Sequence, residues 1–128
     1  MTAPAATLER VTWTAVCPMA DLTPGRGITA LVAGTAVAVF RLTGDEVAAI
    51  TARDPFCGAN VLGRGLVGST GDVRYVASPM YKQRFDLATG ICLDDPAVRV
   101  EVYQVRVADG GVHVGSYLDA PPLEMTAS

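Results

Sequence analysis

The 128 residues carry 13 acidic and 10 basic side chains for a net charge of −3, with 50% hydrophobic and 18% charged residues. That length suits one domain with a core of its own, and the composition excludes a disordered chain. Nucleic acid and anionic membrane surfaces are excluded as partners too, because both need clustered cations and these are scattered along the chain.

Residues 1–10, MTAPAATLER, have neither a basic leader nor a long apolar run, and read as a flexible lead rather than a signal peptide. Nothing after them approaches the roughly 20 apolar residues that a membrane-spanning helix needs. Periodicity predicts short strands over 11–17, 27–34, 36–42, 47–52, 73–77, 84–87, 98–107 and 112–116. These are rich in β-branched and aromatic residues, and turn chemistry separates them: Gly34-Thr35, TGDE at 43–46, ATG at 88–90 and DGG at 109–111. No window carries a helical stripe. The expectation is an all-β, antiparallel sandwich or small barrel spanning 11–116, followed by an extended, partly docked tail over 117–128.

Two stretches depart from simple alternation. In VRVEVYQVRV, Val98, Val100 and Val102 share one face while Tyr103, Val105 and Val107 take the other, so a bulge or bend is expected near Val102-Tyr103. Such a bend lets one strand serve two sheets. The longest connection, Arg53 to Asp72, shows no clear strand character, and its Pro55, Gly58, Gly63, Gly65 and Gly68 suit a folded, functional loop.

No catalytic constellation stands out. The single histidine, His113, alternates with valines on a terminal strand and reads as structural; zinc would need about four N or S ligands, and there is no Cys-x-x-Cys or histidine pair to start a site. Cys17, Cys57 and Cys92 are an odd, unpaired set, which fits reduced thiols in the cytoplasm. Cys57 lies in a glycine-flanked loop with Arg53 as the nearest basic residue, whereas Cys17 and Cys92 read as small buried hydrophobes. GRGLVGSTG at 63–71 lacks the GK[ST] of a phosphate loop, and Asp94-Asp95 before Pro96 reads as a solvated turn.

The two segments DPFCGA at 54–59 and SPMYKQRFD at 78–86 resemble the cluster loops of the Rieske ferredoxin-type fold, C-P-H-x-G-A and C-P-x-H-x-x-x-F-D. Pro55, Gly58, Ala59, Pro79, Phe85 and Asp86 match that scaffold, as does LATG at 87–90. The ligand positions do not. Asp54 and Ser78 stand where the cysteines would be, and Phe56 and Tyr81 where the histidines would be. A Rieske cluster takes two thiolates on one iron and two imidazoles on the other, and a chain with one histidine cannot supply that set. Cys57, three positions away from the first cysteine slot, does not restore it.

Across roughly residues 11–115 the sequence is similar to one branch of this family, the small subunits of assimilatory NAD(P)H nitrite reductase. The resemblance implies a fold with two cluster-type loops that lack metal ligands, no catalytic residue, cofactor or metal in this chain, and a large partner subunit. That partner would carry FAD, siroheme and an iron–sulfur cluster and reduce nitrite to ammonium. Two alternatives are a [2Fe-2S] electron-transfer ferredoxin and a free-standing interaction domain. In the altered loops, Phe56, Met80 and Tyr81 are expected to replace the lost metal cross-link by packing, and Asp54 to pair with Lys82 or to cap a loop amide. Phe56, Cys57, Met80, Tyr81 and Lys82 are the expected partner contacts.

Overall fold

The computed structural model describes residues 11–117. The lead expected over 1–10 and the tail expected from 117 lie outside the described residues, except for Tyr117, which ends the last strand.

Among the described residues there are nine strands: β1 (Val11–Pro18), β2 (Gly27–Val32), β3 (Thr35–Arg41), β4 (Val47–Thr51), β5 (Leu66–Thr70), β6 (Val73–Ala77), β7 (Arg84–Asp86), β8 (Val102–Ala108) and β9 (Gly111–Tyr117). Short 3₁₀ turns at Met19–Asp21, Thr43–Asp45 and Leu62–Arg64 join some of them. All strand pairings are antiparallel, in a six-stranded sheet ordered β1-β9-β8-β4-β3-β2 and a three-stranded sheet ordered β5-β6-β7. The all-β expectation therefore holds.

The fold turns on β3 and β4. Val37 and Val39 of β3 and Ala49 of β4 point into one core with Leu22, Val32, Val112 and Val114, which fills the curl of the large sheet. The alternate residues Ala38, Phe40 and Ile50 enter a second core with Leu62, Val76, Phe85, Cys92 and Val100, which lies beneath the small sheet. Alternation in these two strands is therefore apolar on both faces, the pattern of strands covered on each side. Fully burying a side chain the size of Phe40 or Phe85 contributes roughly 1.5–3 kcal/mol.

Two expectations need correcting. The connection from Arg53 to Asp72 contains a strand, β5, that pairs Leu66 with Ala77 and Thr70 with Val73. It hides in sequence because Gly68 interrupts it, yet that glycine is required: a Cβ there would lie 2.7 Å from the Tyr75 hydroxyl. The strand expected over 98–107 is shortened at its start, since only Val102–Ala108 belongs to the sheet and Arg99 bridges instead to Ile91. The change of face near Val102-Tyr103 holds in part, since Val102 and Val107 are exposed. Val98 and Val100 pack into the core under the small sheet, while Tyr103 and Val105 pack into the core of the large one.

The turn after β7 holds the second loop in place. Asp86 accepts from the Ala88 amide through Oδ1 at 2.8 Å, and its backbone carbonyl accepts from the Gly90 amide at 2.7 Å. Gly90 has φ +80, and a Cβ there would sit 2.0 Å from the Val100 carbonyl oxygen. Gly90→Ala is expected to lower unfolding stability by more than about 1 kcal/mol in urea titration, from the left-handed backbone and the clash together.

Candidate functional site

Both altered loops leave the same end of the molecule, one after β4 and the other after β6, and they share one backbone design. In the first, the Asp54 amide donates to the Ala59 carbonyl at 2.9 Å and the Gly58 amide donates to the Asp54 carbonyl at 2.7 Å. In the second, the Ser78 amide donates to the Gln83 carbonyl at 2.9 Å and the Lys82 amide donates to the Ser78 carbonyl at 3.0 Å. Asp54 and Ser78 are thus equivalent positions, each followed by proline, and the residue four further on has positive φ in both loops (Gly58 φ 79, Lys82 φ 69).

The side chains of these two positions meet. Ser78 Oγ donates to Asp54 Oδ2 at 2.5 Å, and both residues are fully buried. The other carboxylate oxygen, Oδ1, accepts from the Phe56 amide at 2.8 Å, and Ser78 Oγ accepts from the Met80 amide at 3.1 Å. Each side chain therefore caps the amide two residues on in its own loop while joining the opposite loop. A buried acceptor with two donors is satisfied, and a hydroxyl bound to a carboxylate is among the stronger hydrogen bonds at this separation. Asp54 is held by Ser78 and the Phe56 amide, not by the exposed Lys82.

Phe56 turns inward. It packs on the core beneath the small sheet with its ring centroid 6.2 Å from that of Phe85, tilted by 49°. Tyr81 and Met80 turn outward and are exposed, so Tyr81 does not help to fill the space under the loops. Cys57 is half-buried, its amide donating to the Asp54 carbonyl at 3.3 Å, and the Arg53 guanidinium lies against the same loop at Gly58. Of the five expected contact residues, Met80, Tyr81 and Lys82 are exposed and Phe56 and Cys57 only partly so.

The remaining candidates have structural roles. Cys92 is buried in the core beneath the small sheet, and Cys17 packs on the core of the large one. Burial, then Asp21, pushes the Cys17 thiol up, which suits an inert residue. Asp94 accepts from Arg84 through both the guanidinium and the backbone amide, and the Arg84 guanidinium holds its carboxyl below the usual range. Asp95 caps the Ala97 amide at 3.3 Å. His113 pairs across β1 with Ala15.

The profile of the Rieske-like [2Fe-2S] domain matches residues 12–115. The nitrite reductase (NADH) small subunit of Salmonella typhimurium is 44% identical over 103 residues, which cover 80% of this chain and 95% of that one. This chain belongs to the family of nitrite reductase (NADH) small subunits. A crystal structure from Mycobacterium tuberculosis, assigned as an NADH-dependent nitrite reductase small subunit, superposes with a TM-score of 0.83 at 44% identity over 85% of this chain and 98% of that one. The nitrite reductase [NAD(P)H] large subunit of Klebsiella oxytoca contains a stretch 38% identical over 104 residues, 81% of this chain but only 11% of that protein.

The domain name carries a [2Fe-2S] cluster, but the residues present in this member do not fit one. The positions that the resemblance gives to two thiolates hold a carboxylate and a hydroxyl bound directly to each other, and those it gives to two imidazoles hold an inward phenyl ring and an outward phenol. Among the described residues, no three His, Cys, Asp or Glu side chains gather to hold a metal ion.

Joining of the loops by Asp54 and Ser78 is open to direct measurement. Asp54→Ala and Ser78→Ala are each expected to cost about 1–3 kcal/mol by leaving buried donors or an acceptor unpaired. The double variant should cost less than the sum by at least about 0.5 kcal/mol, the coupling expected of residues in contact. Additive losses in denaturant titrations would show that the two side chains act separately.

Proposed function

We propose that this chain is the cluster-free small subunit of an NAD(P)H nitrite reductase, and that its two-loop end docks on the large subunit. In this reading the large subunit holds FAD, siroheme and an iron–sulfur cluster and reduces nitrite to ammonium for nitrate assimilation in the cytoplasm. The small subunit contributes shape and contact, with no catalytic residue and no cofactor of its own. No helix among the described residues is long and apolar enough to cross a membrane.

The observation that carries the reading is the Asp54–Ser78 hydrogen bond within a member of this family. It joins the loops through the two positions where a cluster would take its thiolates, so the loops keep their form without metal. The Klebsiella oxytoca relative supports the choice of partner, because there a domain of this kind lies within the large-subunit chain itself. What is covalent in that protein would be an assembly here.

The loop chemistry fits such a role. Pro55 and Pro79 stiffen the first residues of each tip, the capped amides fix the next, and Met80 and Tyr81 stand exposed on the result. A rigid scaffold with an exposed aromatic anchor loses little conformational entropy on docking. The purified chain is expected to be colourless and free of stoichiometric iron and to co-purify with the large subunit. Stoichiometric iron with visible absorbance would instead favour a ferredoxin that carries electrons. Tyr81→Ala should weaken the assembly about tenfold or more, as for an aromatic anchor; unchanged co-purification would remove Tyr81 from the interface.

A further inference from the structure

The chain is acidic as a whole, but its two loops are not. From Ala52 to Gly71 and from Ser78 to Gln83, every exposed charged residue is a cation: Arg53, Arg64 and Lys82. The one carboxylate in these segments, Asp54, is buried and occupied by Ser78 and the Phe56 amide. No ion pair among the described residues neutralises any of the three, whereas Arg41, Arg74 and Arg84 are paired with Asp45, Glu46 and Asp94. Asp72 and Asp109 lie at the opposite end, in the β5–β6 and β8–β9 turns, while Asp94, Asp95 and Glu101 border the loops, Asp94 being paired with Arg84.

Exposed apolar side chains gather at the same end as the free cations. Met80 is 51% exposed, Tyr81 57% and Leu66 74%. Leu66 pairs with Ala77, one residue before Ser78, and follows Arg64 by two residues. It is thus on the edge strand of the small sheet, directly beside the loop that carries Met80 and Tyr81. Tyr, Met and Arg are the residue types enriched at the centres of protein interfaces, and apolar surface with charges of one sign favours a complementary partner.

Lys82 adds an independent observation. It holds φ 69 at a position where the equivalent residue of the first loop is Gly58. Left-handed backbone costs a non-glycine residue free energy, and glycine would meet the same geometry without that cost. The strain is therefore kept while a cation is displayed at the tip.

We infer that Arg53, Arg64 and Lys82, set around Leu66, Met80 and Tyr81, form a basic and apolar docking face whose occupant is an acidic surface of the large subunit. The inference rests on the small-subunit role proposed above and adds the charge of the surface that is recognised. Oppositely charged faces accelerate encounter and lose strength as salt rises, while the apolar centre holds the complex once formed.

The test is binding of the purified chain to the large subunit from the same source, measured across salt concentrations. Arg53→Glu, Arg64→Glu and Lys82→Glu together should raise Kd about 30-fold or more at ~50 mM salt, with the difference shrinking to about threefold or less at ~0.5 M. Lys82→Gly keeps the left-handed backbone and removes the cationic side chain; it should raise Kd roughly threefold, with a thermal midpoint no lower than that of the unaltered chain. Asp109→Lys, at the far end, should leave Kd unchanged. Binding by the unaltered chain that ignores salt and the charge reversals would overturn the basic face while leaving the small-subunit role intact. Failure of the unaltered chain to bind the large subunit at any salt would overturn both. Self-association of the chain that is lost in the triple variant would reassign the face to a second copy and overturn the inference.

Discussion

The hydrogen bond between Ser78 and Asp54 is the constraint on which the two-loop end depends. It joins residues 24 apart in sequence within a site from which water is excluded, so neither partner has a substitute. In that setting a satisfied polar pair specifies geometry, whereas an unsatisfied one is costly. Because each side chain also caps an amide of its own loop, the same contact sets the spacing between the loops and the shape within each.

On the proposed reading, the cross-linking task that a cluster performs with four ligands is divided here between two kinds of force. A polar contact, worth roughly 1.5–3 kcal/mol when one partner is charged, replaces the pair of thiolate positions. An apolar contact, Phe56 against Phe85, replaces one imidazole position and continues the core upward into the loop. The remaining position, Tyr81, is released from any internal duty and faces outward. Three of these four residues make internal contacts, and Tyr81 alone is exposed, as the proposed docking role requires.

Much of this was legible in the sequence, and the gaps have physical reasons. Strand alternation disclosed the all-β class, and the change of parity in VRVEVYQVRV disclosed that one segment feeds two cores. β5 was not legible because Gly68 breaks its pattern to make room for a tyrosine on the neighbouring strand. The loop scaffold and its altered ligand positions could be read residue by residue. Of the two roles expected for Asp54, the amide cap holds and the pairing with Lys82 does not: the partner is Ser78, four residues before Lys82 in the same loop, and pattern alone does not show which side chain of that loop is buried beside the carboxylate. One signal was present: Asp54 and Ser78 both precede a proline at the start of their loops, and one is an acceptor while the other is a donor.

The double-sided burial of β3 and β4 has a mechanical meaning for the whole molecule. Ala38, Phe40 and Ile50 belong to the core beneath the loops, while Val37, Val39 and Ala49, their immediate chain neighbours, belong to the core of the large sheet. Neither core can loosen without shifting strands that the other also needs, so the two ends melt as one cooperative unit rather than as a stable barrel with a fraying cap. Any partner that grips the tip would then protect amides deep in the distant hairpins, because ligand binding to the native state stabilises the entire unit that must open.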